Sequence, residues 1–156
     1  MTVPTETRPL APASVAAALT TLRSRGLRVS AARRLVLEAL FAAEAPVSAE
    51  AIAAGLGGRL PGSDLASVYR NLDTLEAIGL VRHVHFGHGA GLYALSRRHV
   101  HGYAACEGCG AHHALPAAVV EAVADVVREA CGYETRLGHF PIAGRCPDCE
   151  EHHAHP

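Results

Sequence analysis

Ser63-Asp-Leu-Ala-Ser-Val-Tyr-Arg-Asn-Leu-Asp-Thr-Leu-Glu-Ala-Ile-Gly-Leu-Val-Arg-His-Val-His-Phe86 changes its hydrophobic period once, at Gly79. Upstream of that glycine, Leu65, Val68, Leu72, Leu75 and Ile78 recur at helical spacing, and Ser63 or Asp64 can cap the first turn. Gly79 suits the left-handed residue that closes a helix. Downstream, Leu80 to Phe86 alternates as a half-buried strand does. Gly87 to Gly91 offers a turn, and Leu92-Tyr-Ala-Leu95 a returning strand. A capped helix that runs straight into a hairpin is the second half of a winged helix-turn-helix.

The residues before it supply the first half. Residues 1–12 hold three prolines and read as a flexible tail. A helix is expected over 13–25, closing near Gly26, and a second over 31–42 behind an N-cap at Ser30, with Leu35, Val36, Leu37, Leu40 and Phe41 on its buried face. Pro46-Val-Ser48 interrupts the chain, and Ser48 caps a short helix over 49–56. Gly57-Gly58 and Pro61-Gly62 bracket the turn into the Ser63 stretch. Residues 13–95 therefore read as one winged-helix domain and 96–101 as a polar, basic hinge. Over 102–150 a smaller α/β domain is expected: a short strand, a strand near 111–115, a helix over 117–131 behind Pro116, and a last strand over 134–143. A histidine-rich tail, 151–156, follows. The fold class is α+β.

The chemistry is divided between the halves. All eleven histidines and all five cysteines lie beyond residue 82. Four of the cysteines form two pairs, Cys106-Glu-Gly-Cys109 and Cys146-Pro-Asp-Cys149, with 36 residues between them. Each CxxC knuckle aims two thiolates at one point, and two knuckles complete a closed tetrahedral set that suits structural Zn2+. The spacing is long for a zinc ribbon but fits a strand-helix-strand excursion that returns to its start. Neither pair sits in a βαβ pattern, which argues against a thioredoxin-like redox pair. Cys131, late in the expected helix, reads as a buried apolar residue.

His83 and His85 stand two apart on the expected strand, so their rings leave one face; His99 and His101 stand two apart at the hinge, and His139 lies on the last expected strand. Neutral imidazoles suit Zn, Ni, Cu or Fe(II), and two such pairs flanking one hinge point to a second metal site. In the helix from Leu65, Ser67, Tyr69, Arg70 and Asn71 lie near the start, with side chains that donate to phosphates or read base edges.

A net charge of −1 argues against a protein that coats nucleic acid non-specifically but not against a local basic face, and all fourteen basic residues are Arg. No signal peptide stands at the start, and no apolar run reaches the ~20 residues of a membrane span. A cytoplasmic location is expected, where paired cysteines bind metal before they oxidise.

Together these residues resemble the ferric uptake regulator family of metal-dependent repressors. The motifs are Gly26-Leu-Arg-Val-Ser30 with Arg33 and Val36-Leu-Glu-Ala-Leu40 as a first DNA-proximal segment, Asp64-Leu-Ala-Ser-Val-Tyr-Arg-Asn-Leu72, Gly79-Leu-Val81, His99-Val-His101, the first CxxC and Gly144-Arg-Cys-Pro-Asp-Cys149, in order over about residues 20–150. The runs His83-Val-His-Phe-Gly-His-Gly-Ala90 and His139-Phe-Pro-Ile-Ala-Gly-Arg145 resemble its nickel-responsive members. The resemblance implies a homodimer that binds a double-stranded DNA operator, with Arg28 reaching a phosphate or the minor groove. It also implies structural zinc on four cysteines and a regulatory nickel on His83, His85 and His139. Departures bear on the metal. The usual hinge site takes a ligand just before the third helix, and Pro46 stands there; Ala94 and Tyr103 replace two further ligands common in the family. His99 and His101 remain, and Glu121 matches a carboxylate position of iron and zinc members. The sensed metal is therefore open among nickel, zinc and iron. The chain is not expected to be an enzyme: it has no HExxH and no nucleophile-base motif. A metal-storage or chaperone role would leave the helix-turn-helix half without a purpose.

Overall fold

A computed structural model describes residues 10–85, 90–96, 102–135, 137–138 and 141–151. The chain divides into two compact units, Met1–His83 with Leu92–Arg98, and Val84–Gly91 with His99–Pro156.

The first unit is built of α1 (Val15–Ser24), α2 (Ala31–Ala42), β1 (Val47–Ser48), α3 (Ala49–Ala53), a four-residue turn α4 (Gly55–Gly58), α5 (Leu65–Ala77), β2 (Val81–Val84) and β3 (Leu92–Leu95). Four of its helices start on a side-chain cap: Ser14, Ser30, Ser48 and Asp64 each accept from the main-chain N–H three residues on. Such a cap contributes about 1 kcal/mol. The interior joins Leu19 and Leu22 of α1, Val36, Leu37 and Leu40 of α2, and Val68, Leu72 and Leu75 of α5, closed by Leu80, Val81, Tyr93 and Leu95 of the hairpin. Leu65, expected in this core, is 39% exposed. It begins the helix, a turn before the stripe reaches α2.

In this unit one helix boundary and one strand pairing depart from the sequence expectation. The helix expected over 49–56 stops at Ala53 because Gly55, Leu56, Gly57 and Gly58 all take positive φ. A Cβ at Gly55 would overlap the Leu60 carbonyl, so glycine is required there. Leu56, the one non-glycine at positive φ among the described residues, is compensated by burial. The hairpin also carries a third strand: β1 pairs antiparallel with β3, Val47 opposite Tyr93, giving the order β1-β3-β2. A two-residue strand leaves no periodic signal to read.

The second unit holds β4 (Gly102–Cys106), β5 (His112–Leu115), α6 (Ala117–Cys131), β6 (Ile142–Gly144) and α7 (Pro147–Glu151). β5 runs antiparallel to β4 and β6 parallel to it, in the order β5-β4-β6. The strand expected over 134–143 is shorter: only Ile142–Gly144 joins the sheet, and 136, 139 and 140 lie outside the described residues. Half-buried Ala117, Val120, Val123, Ala124 and Val127 form one face of α6, and a Cβ on Gly102 of β4 would stand 3.0 Å from Val120 Cγ2. No α6 residue is fully buried.

Candidate metal centre and nucleic-acid interface

Sheet register assembles the four cysteines. β4 delivers Cys106 at its end, opposite Gly144 of the parallel strand β6. The chain turns through 107–110 into β5, which places Cys109 beside Cys106, while α7 starts inside the second knuckle and carries Cys149 back. Glu107 N–H donates to the Gly144 carbonyl at 2.8 Å and ties the knuckles together. The four sulfurs lie within 4.8 Å of one another, with Cys109 Sγ and Cys146 Sγ 3.7 Å apart. A tetrahedral zinc with Zn–S of ~2.3 Å has sulfur–sulfur edges of roughly 3.8 Å. Cys106 Sγ also accepts from the N–H groups of Cys146 at 3.3 Å and Gly108 at 3.4 Å. The main-chain N–H of Cys146, and then that of Cys109, lowers the Cys106 thiol to about 6. Crowding by the thiols of Cys146, Cys109 and Cys106 pushes Cys149 up to about 12. The two shifts have different sources, main-chain donors around Cys106 and neighbouring thiols around Cys149. The donor set fits zinc. Cys131, outside the cluster, is exposed and donates to the Val127 carbonyl, not buried as its composition suggested.

Gly108 was not legible as part of this site. A Cβ there would stand 3.0 Å from Cys149 Sγ, 3.2 Å from Cys149 Cβ and 3.6 Å from Cys106 Sγ. A side chain there would press on a ligand, and Cys149 would have to give by a few tenths of an ångström.

The histidines are distributed differently. β2 ends at Val84, so His83 lies on the strand and His85 one residue past it, exposed. The His83 ring stacks on Tyr93 of β3, centroids 4.5 Å apart and planes 6° from parallel. Among the described residues, the four cysteines are the one group of three or more ligands close enough to share an ion, and neither His83 nor His85 belongs to it. Glu121 is exposed on α6. His99, His101 and His139 lie outside the described residues.

On the first unit, α5 turns Val68, Asn71, Leu72 and Leu75 inward and leaves Leu65, Tyr69 and Arg70 outside. Ser67 is half-buried, with its N–H on the Asp64 carboxylate. Asn71, expected to read DNA, is 7% exposed and committed internally: Oδ1 accepts from Arg33 Nε at 3.0 Å, and Nδ2 donates to the Ser67 carbonyl at 2.8 Å. The same Arg33 guanidinium donates to the Arg28 carbonyl at 2.6 Å, so one side chain links the α1–α2 loop to α5. Arg28 lines an open cavity of about 770 Å³ with Arg23, Arg34 and the start of α2. Tyr69 Oη donates to Glu50 Oε1 of α3 at 2.8 Å. Glu50's own main-chain N–H, and then the Tyr69 hydroxyl, hold the Glu50 carboxyl below the usual range, and that carboxylate raises the Tyr69 phenol. The sequence placed Arg33 in the DNA-proximal motif but not against Asn71, and passed over Glu50, because the partners lie 38 and 19 positions away.

Among known proteins, the peroxide operon regulator of Bacillus subtilis (strain 168) is 28% identical over 139 residues, covering 88% of this chain and 94% of that protein. The structure of the ferric uptake regulator from Pseudomonas aeruginosa with manganese superposes with a TM-score of 0.64 at 30% identity, over 83% of this chain and 97% of that one. A zinc uptake regulator complexed with zinc and DNA gives a TM-score of 0.59 at 26% identity, over 90% and 95%. The sequence profile of the ferric uptake regulator family matches residues 24–139, and the chain belongs to that family.

Proposed function

We propose that this protein is a homodimeric, metal-dependent repressor of metal-uptake genes that binds a double-stranded operator. The observation that carries the reading is α5, a capped helix whose exposed start presents Tyr69 and Arg70 in a fold shared with a regulator solved on DNA. A helix of this kind enters the major groove, where Tyr69 and Arg70 meet base edges and phosphates. Ser67 and the basic side chain of Arg28 contact the backbone. Asn71 acts from behind, holding Arg33 against both DNA-facing segments. Zinc on Cys106, Cys109, Cys146 and Cys149 is structural and leaves no open position for chemistry. The second apolar stripe of α6 supports self-association: Val119, Ala122, Val126 and Ala130 repeat at helical spacing and are exposed, Val126 at 64%.

The sensed metal is nickel in this reading, held by His83, His85 and His139, on the likeness of 83–90 and 139–145 to nickel-responsive members. Metal occupancy would fix how the two DNA-binding units of the dimer meet their half-sites and so convert concentration into affinity. A second reading is favoured by the relatives, which are regulators of iron, zinc and peroxide responses: zinc or Fe(II) on a site built from His99, His101 and Glu121, with peroxide as the signal if the metal is iron. Operator titrations with Ni(II), Zn(II) and Fe(II) separate them. Activation by nickel alone, lost in His83→Ala with His85→Ala, supports the first. Activation by zinc or iron that survives that double variant supports the second. Tyr69→Ala with Arg70→Ala should abolish operator binding while zinc content stays at one per chain, and specific binding by that variant would remove α5 from the reading role.

A further inference from the structure

We propose that Glu50 is a positioning residue that sets the hydrogen-bond polarity of Tyr69, so that α5 selects the strand orientation of a base pair, the one that turns its adenine N6 or cytosine N4 donor, and not the acceptor of the paired base, toward Tyr69 in the major groove. The inference rests on the DNA-binding reading and deepens it. A phenol has one proton and two acceptor directions, whereas an ionised carboxylate only accepts. The 2.8 Å contact between Tyr69 Oη and Glu50 Oε1 therefore has one possible sense, with the Tyr69 proton pointing at Glu50. Phosphate oxygens also only accept, so a tyrosine held this way has nothing to donate to the DNA backbone. Its oxygen can accept from adenine N6 or cytosine N4, the two major-groove donors.

Both partners are exposed, and each is held from behind. Glu50 sits in the first turn of α3, behind the Ser48 cap; Tyr69 lies one turn into α5, behind the Asp64 cap. Their shifts agree with the same sense, the acid lowered and the phenol raised. Glu50 has a second consequence: a fixed negative charge beside the recognition helix penalises any docking register that brings a phosphate against it. Glu50 thus lowers affinity for DNA in general while raising discrimination.

The test uses the full-length, metal-loaded protein. Operators are selected from a random duplex library, and each adenine or cytosine of the selected site is then replaced singly by an analogue lacking the amino group. Wild type should lose roughly tenfold in affinity at one position, the scale of a single lost base contact. Tyr69→Phe should be insensitive at that position. Glu50→Gln, which keeps the size and can either donate or accept, should lose the same sensitivity and bind random duplex more tightly. Unchanged circular dichroism and zinc content would separate this from misfolding. If Glu50→Gln keeps the full analogue sensitivity, or no position depends on Tyr69, the assignment falls while the regulator reading stands. If wild type selects no sequence with any of the three metals, the DNA-binding reading itself fails and takes the assignment with it.

Discussion

Gly108 shows how little room the metal centre leaves. A side chain there would press on Cys149. Gly108→Ala should therefore lower zinc affinity by on the order of tenfold, the scale seen when groups shaping a metal's surroundings are changed; competition against a chromophoric chelator measures it, and an unchanged affinity would mean that the knuckle relaxes. The Tyr69–Glu50 bond has its own pH window. Glu50 is lowered, so the bond contributes above the ordinary carboxylate range and is lost as pH falls through the lowered value. Tyr69 is raised, so the bond contributes below the ordinary phenol value of about 10 and is lost as pH rises through the raised one. Tyr93 is also raised, chiefly by burial and then by Asp73. Absorbance titration near 295 nm should then find one late tyrosine fewer in Glu50→Gln than in wild type; an unchanged titration would show that Glu50 does not hold the phenol.

Elements differ in what holds them. α5 is fixed by burial: Leu72 and Leu75 are fully enclosed, and Leu72→Ala should cost about 2–5 kcal/mol, read as a fall in the urea midpoint. Helix α6 instead has two apolar faces and one sheet. Its Ala117, Val120, Val123, Ala124 and Val127 face is half-buried, and its Val119 and Val126 side is exposed. Val126→Glu should weaken the proposed dimer at least roughly tenfold, because a charge would be buried without a partner. Sedimentation should then show monomer with normal zinc content; a dimer of wild-type strength would move the interface elsewhere.

On the scale of the molecule the two units are stabilised by different physics. Every residue of the large hydrophobic cluster belongs to the first unit. In the second, the buried apolar side chains of the β4–β5–β6 sheet among the described residues are Tyr103 and Cys106. For a unit of that size with so small an interior, we expect the fold to depend on metal at the four cysteines. Removing zinc by chelation should collapse hydrogen-exchange protection over 102–151 and spare α1, α2 and α5. Retained protection across β4–β6 would mean that the cysteines do not hold that unit together.

What the sequence alone determined about this protein is what short-range physics encodes. The change of period at Gly79 marks α5 and the hairpin. Ser30 and Ser48 mark helix starts because each cap bonds three residues away, and Ser63 or Asp64 marks a third, which the structure gives to Asp64. The CxxC pairs announce zinc because ligand spacing within a knuckle is local, and the ordered motifs carry the family. Tertiary structure decided the rest. The parallel register of β6 on β4 brings Gly144 and the second knuckle to Cys106. The packing of α5 turns Asn71 inward toward Arg33 and sets Tyr69 against Glu50. These pairings depend on which segments meet across dozens of residues, and no local period or cap records that.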